Sequence, residues 1–161
     1  YYDKDADLKF LKNKVVGIIG YGSQGRAHSL NLRDSGLDVI VSELEGTPNY
    51  EKAKKDGFEP VSADQLTKKA DVIMILVQDN VQPYVYESQI GPNLKKGKYL
   101  GFAHGFSIHF SQIVLPKDIR PVYKRTGCSM SCCSLSGPKW RHFKSRTCLC
   151  KRAWWNKMWS G

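Results

Sequence analysis

Val15-Val16-Gly17-Ile18-Ile19-Gly20-Tyr21-Gly22-Ser23-Gln24-Gly25 is the stretch whose reading decides the fold. An apolar run rich in β-branched residues enters a Gly-x-Gly-x-x-Gly turn. The residues after it, Arg26-Ala27-His28-Ser29-Leu30-Asn31-Leu32-Arg33, suit a helix with Ala27, Leu30 and Asn31 on one face. Each glycine has its own task in such a strand–turn–helix unit. Gly20 permits the tight turn, Gly22 lets the backbone approach a pyrophosphate, and Gly25 lets the helix lie close to the strand. The exposed N–H groups and the positive end of the helix dipole then receive phosphate oxygens.

A glycine-rich turn alone is a weak signal, and its surroundings strengthen it. A second run, Asp38-Val39-Ile40-Val41, ends in Ser42-Glu43, which sets Glu43 18 residues beyond Gly25. An acid at that place meets the ribose hydroxyls of a bound dinucleotide. The pattern predicts a cofactor-binding unit with Gly20, Gly22, Gly25 and Glu43 at its site.

At 161 residues the chain has room for one domain with a sizeable core. It contains no run of eighteen apolar residues, so no transmembrane helix is expected. Its start, Tyr1-Tyr2-Asp3-Lys4-Asp5-Ala6-Asp7, is charged and lacks the apolar centre of a signal peptide. The expectation is a soluble, cytoplasmic protein with no membrane partner.

The formal net charge of +10 suggests nucleic acid until its distribution is read. Ten of the 25 Lys and Arg residues lie in 120–161, with none of the 15 Asp and Glu, so residues 1–119 carry 15 of each sign and are neutral. All five cysteines and all four tryptophans also lie beyond Arg120. A neutral, cysteine-free body followed by a basic, Cys- and Trp-rich tail argues against a nucleic-acid partner for the body.

Along the chain, residues 7–11 suit a short helix and Ser35-Gly36 ends the helix after the glycine turn. Residues 50–56 read as a helix stopped by Gly57, Phe58-Glu59-Pro60-Val61 as a short strand, and Ser62 as the N-cap of a helix over 63–69. The continuous apolar run Asp71-Val72-Ile73-Met74-Ile75-Leu76-Val77 suits a parallel strand covered on both faces. Gln78-Asp79-Asn80-Val81-Gln82-Pro83 opens the next loop and helix, and Lys95-Lys96-Gly97-Lys98 turns into the strand Tyr99-Leu100-Gly101-Phe102. The alternation predicts an α/β fold, a Rossmann-like doubly wound parallel sheet followed by an irregular tail. Ligands bind such sheets at the C-terminal ends of the strands, which points to residues 21–24, 43–49, 79–82 and 103–106.

Four segments together resemble one family. Tyr1-Tyr2-Asp3-Lys4-Asp5-Ala6-Asp7-Leu8, Ile19-Gly20-Tyr21-Gly22-Ser23-Gln24-Gly25, Asn31-Leu32-Arg33-Asp34-Ser35-Gly36 and Phe102-Ala103-His104-Gly105-Phe106-Ser107-Ile108-His109 look like the N-terminal domain of ketol-acid reductoisomerase, from Tyr1 to about Ile119. The family acts in branched-chain amino-acid (valine, isoleucine) biosynthesis. It carries out a Mg²⁺-dependent alkyl shift on a 2-acetolactate-type substrate, a 2-hydroxy-2-methyl-3-keto acid, and then transfers hydride from NADH or NADPH. It also forms homo-oligomers.

The resemblance implies that Tyr21, Gly22, Ser23 and Gln24 hold the pyrophosphate side of the cofactor. It implies that Asp79, Asn80, Val81 and Gln82 line the cofactor after the 71–77 strand, and that His104 is catalytic. His109 resembles a family histidine and is read as structural. Arg26 stands where many members have histidine. NADP-using members place Arg, Lys or Ser on the 2′-phosphate after the second strand, whereas this chain offers Glu43, Leu44, Glu45, Thr47 and Asn49. The expectation is NADH use at least as good as NADPH use, with Thr47 and Asn49 still able to meet a phosphate.

Beyond Ile119 the resemblance stops, where a family member would continue into another strand and an A-P-K-G-P-G-like segment and then into an all-helical domain whose acidic residues bind Mg²⁺. The chain instead gives Arg120-Pro121-Val122-Tyr123-Lys124-Arg125-Thr126-Gly127 and a tail without a carboxylate. With suitable codons, Cys148-Leu149-Cys150-Lys151-Arg152-Ala153-Trp154-Trp155-Asn156-Lys157-Met158-Trp159-Ser160-Gly161 read one nucleotide later becomes A-Y-A-K-G-x-G-G-I-R-C-G-A. That string resembles a helix of the family's second domain, so residues 120–161 are read as a frameshifted remnant of it. Cys128, Cys132, Cys133, Cys148 and Cys150 with His142 lack the C-x₂-C pairing of common zinc modules, so no metal site is assigned. The basic, aromatic tail could in principle hold RNA, but it carries no recognisable motif.

Overall fold

A computed structural model describes residues 10–103 and 105–123, with the side chains of 120–123 left out of the description. Its apolar runs form five parallel strands: β1 (Val15–Ile19), β2 (Asp38–Ser42), β3 (Val72–Ile75), β4 (Tyr99–Phe102) and β5 (Arg120–Tyr123). Their order is β2-β1-β3-β4-β5. The helices are α1 (Ser23–Asp34), α2 (Pro48–Lys55), α3 (Ala63–Lys69), α4 (Gln82–Val85) and α5 (Phe106–His109). A π-helical turn (Tyr86–Ile90) and a 3₁₀ turn (Gly91–Asn93) extend α4.

Strand alternation explains the layers, because successive side chains point to opposite faces. Val16 and Ile18 of β1 with Val72 and Met74 of β3 pack beside Leu32 of α1. Ile19 of β1, Ile73 and Ile75 of β3, and Leu100 and Phe102 of β4 face the other way, onto Ala63 and Leu66 of α3 and onto Tyr86 and Ile90. All four β3 residues are buried, as a strand covered on both faces requires. Gly17 lets α3 close on the sheet: a Cβ there would lie 2.4 Å from Leu66 Cδ2 and 2.9 Å from Ala70 Cβ. At the end of α3, Lys98 Nζ donates to the carbonyls of Thr67, Lys68 and Ala70, a cation on carbonyls that the helix leaves unpaired.

Several local expectations are corrected. The buried residues of α1 are Gly25, Ser29 and Leu32, with Gly25 against β1, while Leu30 packs half-buried on the cluster of Tyr21, Val41, Ala53 and Phe58. Ser29 is fully buried there because its hydroxyl donates to the Gly25 carbonyl. Residues 58–61 form no strand but a single bridge, Ser42 to Val61; Pro60 has no N–H to extend the ladder. Ser62 is the N-cap residue of α3 as expected, with its hydroxyl bonding Asp64 rather than the helix backbone. The sheet also runs past the boundary drawn at Ile119, since β5 pairs with β4 from Tyr99–Arg120 to Phe102–Tyr123. The tail expectations for 124–161 lie outside the described residues, as does the first part of the helix expected over 7–11.

Candidate functional site

Because all five strands run parallel, the loops after β1, β2, β3 and β4 leave from one edge of the sheet. The chain passes from β1 to β2 on one side and returns to β3 on the other, so the crevice of the strand order opens at β1. Gly20 sits at that point with φ +97°. A Cβ on it would lie 2.9 Å from Val77 Cγ1 and 3.1 Å from the Leu76 backbone, so the glycine turn rests directly on the exit of β3.

The other two motif glycines divide between packing and space. A Cβ at Gly25 would stand 1.8 Å from the Gly20 carbonyl oxygen. At Gly22 a Cβ would meet nothing within 4 Å. Gly22 is also the N-cap of α1, whose opening turn has no side-chain cap and no acidic residue. Backbone donors, the positive end of a 12-residue helix and open room beside Gly22 suit a diphosphate. Ser23 and Gln24 are exposed in that first turn.

Glu43 leaves the end of β2 and reaches back to this turn. Its Oε2 accepts the Tyr21 N–H at 2.6 Å, and its Oε1 accepts the Leu44 N–H at 3.0 Å. The two expected neighbours, the glycine turn and the acid, are therefore in direct contact. A carboxylate oxygen has further lone pairs, so these bonds leave acceptor capacity for a ribose hydroxyl.

Tyr21 departs from expectation. Only its backbone belongs to the turn; its side chain is buried with Val41, Ala53 and Phe58, edge-on to the Phe58 ring at 5.8 Å. Its hydroxyl donates to Asp56 Oδ2 at 2.9 Å. Arg26 completes the group, with Nε 2.6 Å from Asp56 Oδ2 and a second nitrogen 3.0 Å from Oδ1. The Arg26 bond holds the Asp56 carboxyl down to about 2, with the Tyr21 bond adding to it. Burial, then the Asp56 bond and charge, push the Tyr21 phenol well above its usual range. Arg26 is thus committed to Asp56. Asp56 was read only as the end of a helix, because nothing local in the sequence couples it to residues 21 and 26.

The remaining expected residues separate into two sets. Asn80 and Val81 are exposed at the site edge, and Asn49 is half-buried in the first turn of α2. Thr47 caps α2, its Oγ1 accepting the Tyr50 N–H and donating to the Leu44 carbonyl, so the hydroxyl serves the loop and not a phosphate. Gln82, expected beside the cofactor, is 3% exposed with its amide turned inward. Its Nε2 donates to the Val77 carbonyl and to Asp79 Oδ1, both at 3.0 Å, and its Oε1 accepts the Ser107 hydroxyl at 2.8 Å. Ser107, which sequence reasoning passed over, links the exits of β3 and β4. His104 lies outside the described residues. His109, read as structural, packs edge-on to Phe110, its buried Nδ1 without a hydrogen-bond partner.

Among the described residues, no three His, Cys, Asp or Glu side chains gather as metal ligands. None of the described helices is long and apolar enough to cross a membrane.

Residues 10–123 match the family described as acetohydroxy acid isomeroreductase, NADPH-binding domain. Among solved structures, the chain is similar to an NADH-preferring ketol-acid reductoisomerase from an uncultured archaeon, with 45% identity and a TM-score of 0.72, over 76% of this chain and 38% of that one. The chain therefore spans well under half the length of that relative. A semialdehyde dehydrogenase NAD-binding protein from Cupriavidus necator, solved with calcium and NAD, is 20% identical with a TM-score of 0.62, over 68% of this chain and 40% of that one. A 3-hydroxyisobutyrate dehydrogenase from Mycobacterium tuberculosis is 14% identical with a TM-score of 0.55, over 68% and 39%. The last two speak to the fold alone.

Proposed function

The chain belongs to the ketol-acid reductoisomerase (acetohydroxy acid isomeroreductase) family, and from that membership we propose that it is the part of such an enzyme that holds the reduced nicotinamide cofactor. The observation that carries the reading is the cradle at Gly22, open on its side-chain side and set at the uncapped start of α1. Gly20, Gly25 and the backbone of Tyr21 shape the turn; Ser23, Gln24 and the first N–H groups of α1 would take the pyrophosphate. Glu43 would accept from the adenosine ribose. On the other side of the switch point, Asp79, Asn80 and Val81 would border the nicotinamide half. His104 is proposed as the catalytic residue next to it, on the strength of the resemblance.

When bound, the cofactor supplies a hydride to a 2-hydroxy-2-methyl-3-keto acid or its rearranged product. This chain's residues fix the direction of the cofactor across the sheet edge: adenosine toward Glu43, diphosphate at Gly22, nicotinamide toward the exits of β3 and β4. The alkyl migration of the family needs Mg²⁺, which takes several oxygen ligands. The described residues do not gather such a set, and 120–161 contains no Asp or Glu, so no step of that migration is assigned to this chain. For this chain taken alone the proposal is cofactor binding, with the catalytic role of His104 exercised only beside a metal-bearing domain. A carboxylate and no basic residue on the loop after β2, together with the NADH preference of the 45% identical relative, support NADH as a cofactor accepted at least as well as NADPH. A cytoplasmic setting and homo-oligomerisation follow from the family resemblance as further parts of the proposal.

The test is titration of the full chain with NADH and NADPH, followed by incubation with 2-acetolactate, Mg²⁺ and the better cofactor while nicotinamide absorbance is recorded. Saturable binding with flat absorbance is expected. Turnover would show that this chain supplies a metal site, and no binding of either cofactor would overturn the reading altogether.

A further inference from the structure

Gln82 and Ser107 are buried polar residues in contact, at 3% and 1% exposure, and they come from different loops. The Gln82 amide is used at both ends. Two acceptors, the Val77 carbonyl and Asp79 Oδ1, fix the Nε2 side, which leaves Oε1 for the Ser107 hydroxyl. The Ser107 carbonyl in turn accepts the Ile113 N–H at 3.0 Å. One side chain thus ties the exit of β3 to the start of α5, the helix that follows β4 in the chain.

A buried amide of this kind is costly unless every polar atom is satisfied. Holding α5 on the sheet could be done by apolar contacts alone, since Ile108 and Ile113 already pack into that core. A fully used Gln–Ser bridge adds directional bonds, which fix the relative position of two loops more tightly than apolar contact does. The bridge joins the exits of β3 and β4, on the opposite side of β1 from β2 and Glu43.

We propose that Gln82 and Ser107 act as a positioning pair, setting the β3 and β4 exits in register so that they receive the nicotinamide half of the cofactor while taking no part in holding the adenosine half. This rests on the cofactor reading above. Neither residue touches the ligand; both act through the elements they join, by way of Val77 and Asp79 on one side and the start of α5 on the other.

The test compares NADH with ADP-ribose, which keeps the adenosine and diphosphate and lacks the nicotinamide. Ser107→Ala and Gln82→Met, each close in size to the residue it replaces, are titrated with both ligands in the full chain. NADH affinity is expected to fall about tenfold in each variant, with ADP-ribose affinity held within about twofold. The double variant should lose no more NADH affinity than the worse single one, since the two residues form one device. Equal losses for both ligands, including a general loss of folding, would mean a merely structural link and would overturn the proposal. Unchanged NADH binding in the milder Ser107→Ala variant would overturn it as well. If the unmutated chain binds ADP-ribose and NADH equally well, the nicotinamide half is not held and this inference fails alone; if it binds neither, the cofactor reading fails and takes the inference with it.

Discussion

The Tyr21 hydroxyl donates to Asp56 Oδ2 at 2.9 Å, joining the residue inside the glycine turn to the C-terminal end of α2, 35 residues away. The glycine turn is thus anchored from below by its own buried side chain. Arg26, bidentate on the same carboxylate, anchors the first turn of α1 as well. Arg33 adds a bond to the Asp56 carbonyl at 2.5 Å and lies 4.7 Å over the Phe58 ring.

This arrangement makes an acid-sensitive contribution to stability. The Asp56 carboxyl falls from 3.8 to about 2 in the fold, so the folded state favours its charged form. Its contribution is complete above 3.8 and fades as pH drops from there toward about 2. Thermal midpoints of the unmutated chain and of Asp56→Asn should differ at neutral pH and converge across that window. A gap that stays constant down to pH about 2 would show that Asp56 owes nothing to Arg26. Tyr21 has the opposite sign: its raised phenol pKa means stability that is lost as pH climbs above the ordinary value of 10.0, a loss that Tyr21→Phe should not show.

Lys98 offers a test of helix termination. Its ammonium donates to three carbonyls at the end of α3, and α3 packs through Leu66 on Gly17 of β1. Lys98→Met keeps the apolar stem and removes the three bonds, for an expected loss of about 1–2 kcal/mol. Denaturant unfolding would read it as a lower midpoint with an unchanged slope. An unchanged midpoint would mean that water serves those carbonyls equally well.

Much of this fold was legible because period-two and glycine signals are local. Ile18 and Ile19 face opposite cores as alternation requires, and Glu43, expected at a ribose from its spacing after Gly25, stands at the end of β2 in contact with the turn. What could not be read were contacts between distant segments. Nothing near Tyr21 says that its ring turns into the core, and nothing near Gln82 says that its amide is claimed by Ser107, 25 residues on. Both residues sit in motifs whose neighbours are exposed, and motif membership does not say which way a single side chain turns. The 58–61 segment shows the complementary failure: its apolar residues suit a strand, and one proline limits it to a bridge.

The motif glycines can be separated by substitution. Gly25→Ala would force a methyl group to within 1.8 Å of the Gly20 carbonyl, a backbone atom that cannot move without opening the turn. A loss of about 3 kcal/mol or more is expected, at the upper end of overpacking. Gly22→Ala meets no atom within 4 Å, and its backbone, at φ −68°, accepts a side chain. Stability should stay within about 0.5 kcal/mol while cofactor affinity drops about tenfold, because the methyl takes diphosphate space. Thermal melts and NADH titrations of both variants check this. Full affinity in Gly22→Ala would place the diphosphate elsewhere.

Cofactor preference turns on Glu43. The 2′-phosphate of NADPH brings nearly two negative charges to the loop after β2, where Glu43 and Glu45 lie and no Lys or Arg stands between residues 43 and 49. At about 5 Å and an effective dielectric of about 20, one charge pair repels by roughly 3 kcal/mol. Solvent and loop movement reduce this to about 1 kcal/mol, still about fivefold in affinity. The 2.6 Å bond to the Tyr21 N–H sharpens the expectation, since it holds the Glu43 carboxylate beside the turn and keeps it from swinging away from the phosphate. NADH should therefore bind at least as tightly as NADPH at fixed ionic strength. Glu43→Ser removes the repulsion and with it the ribose acceptor and the brace on Tyr21. The variant should bind NADH more weakly than the unmutated chain, with its NADPH-to-NADH preference shifted about tenfold toward NADPH. The shift should shrink as salt is raised, because a charge this exposed is screened. Tighter NADPH binding by the unmutated chain would mean that the first turn of α2, with Asn49 in it, outweighs the Glu43 carboxylate.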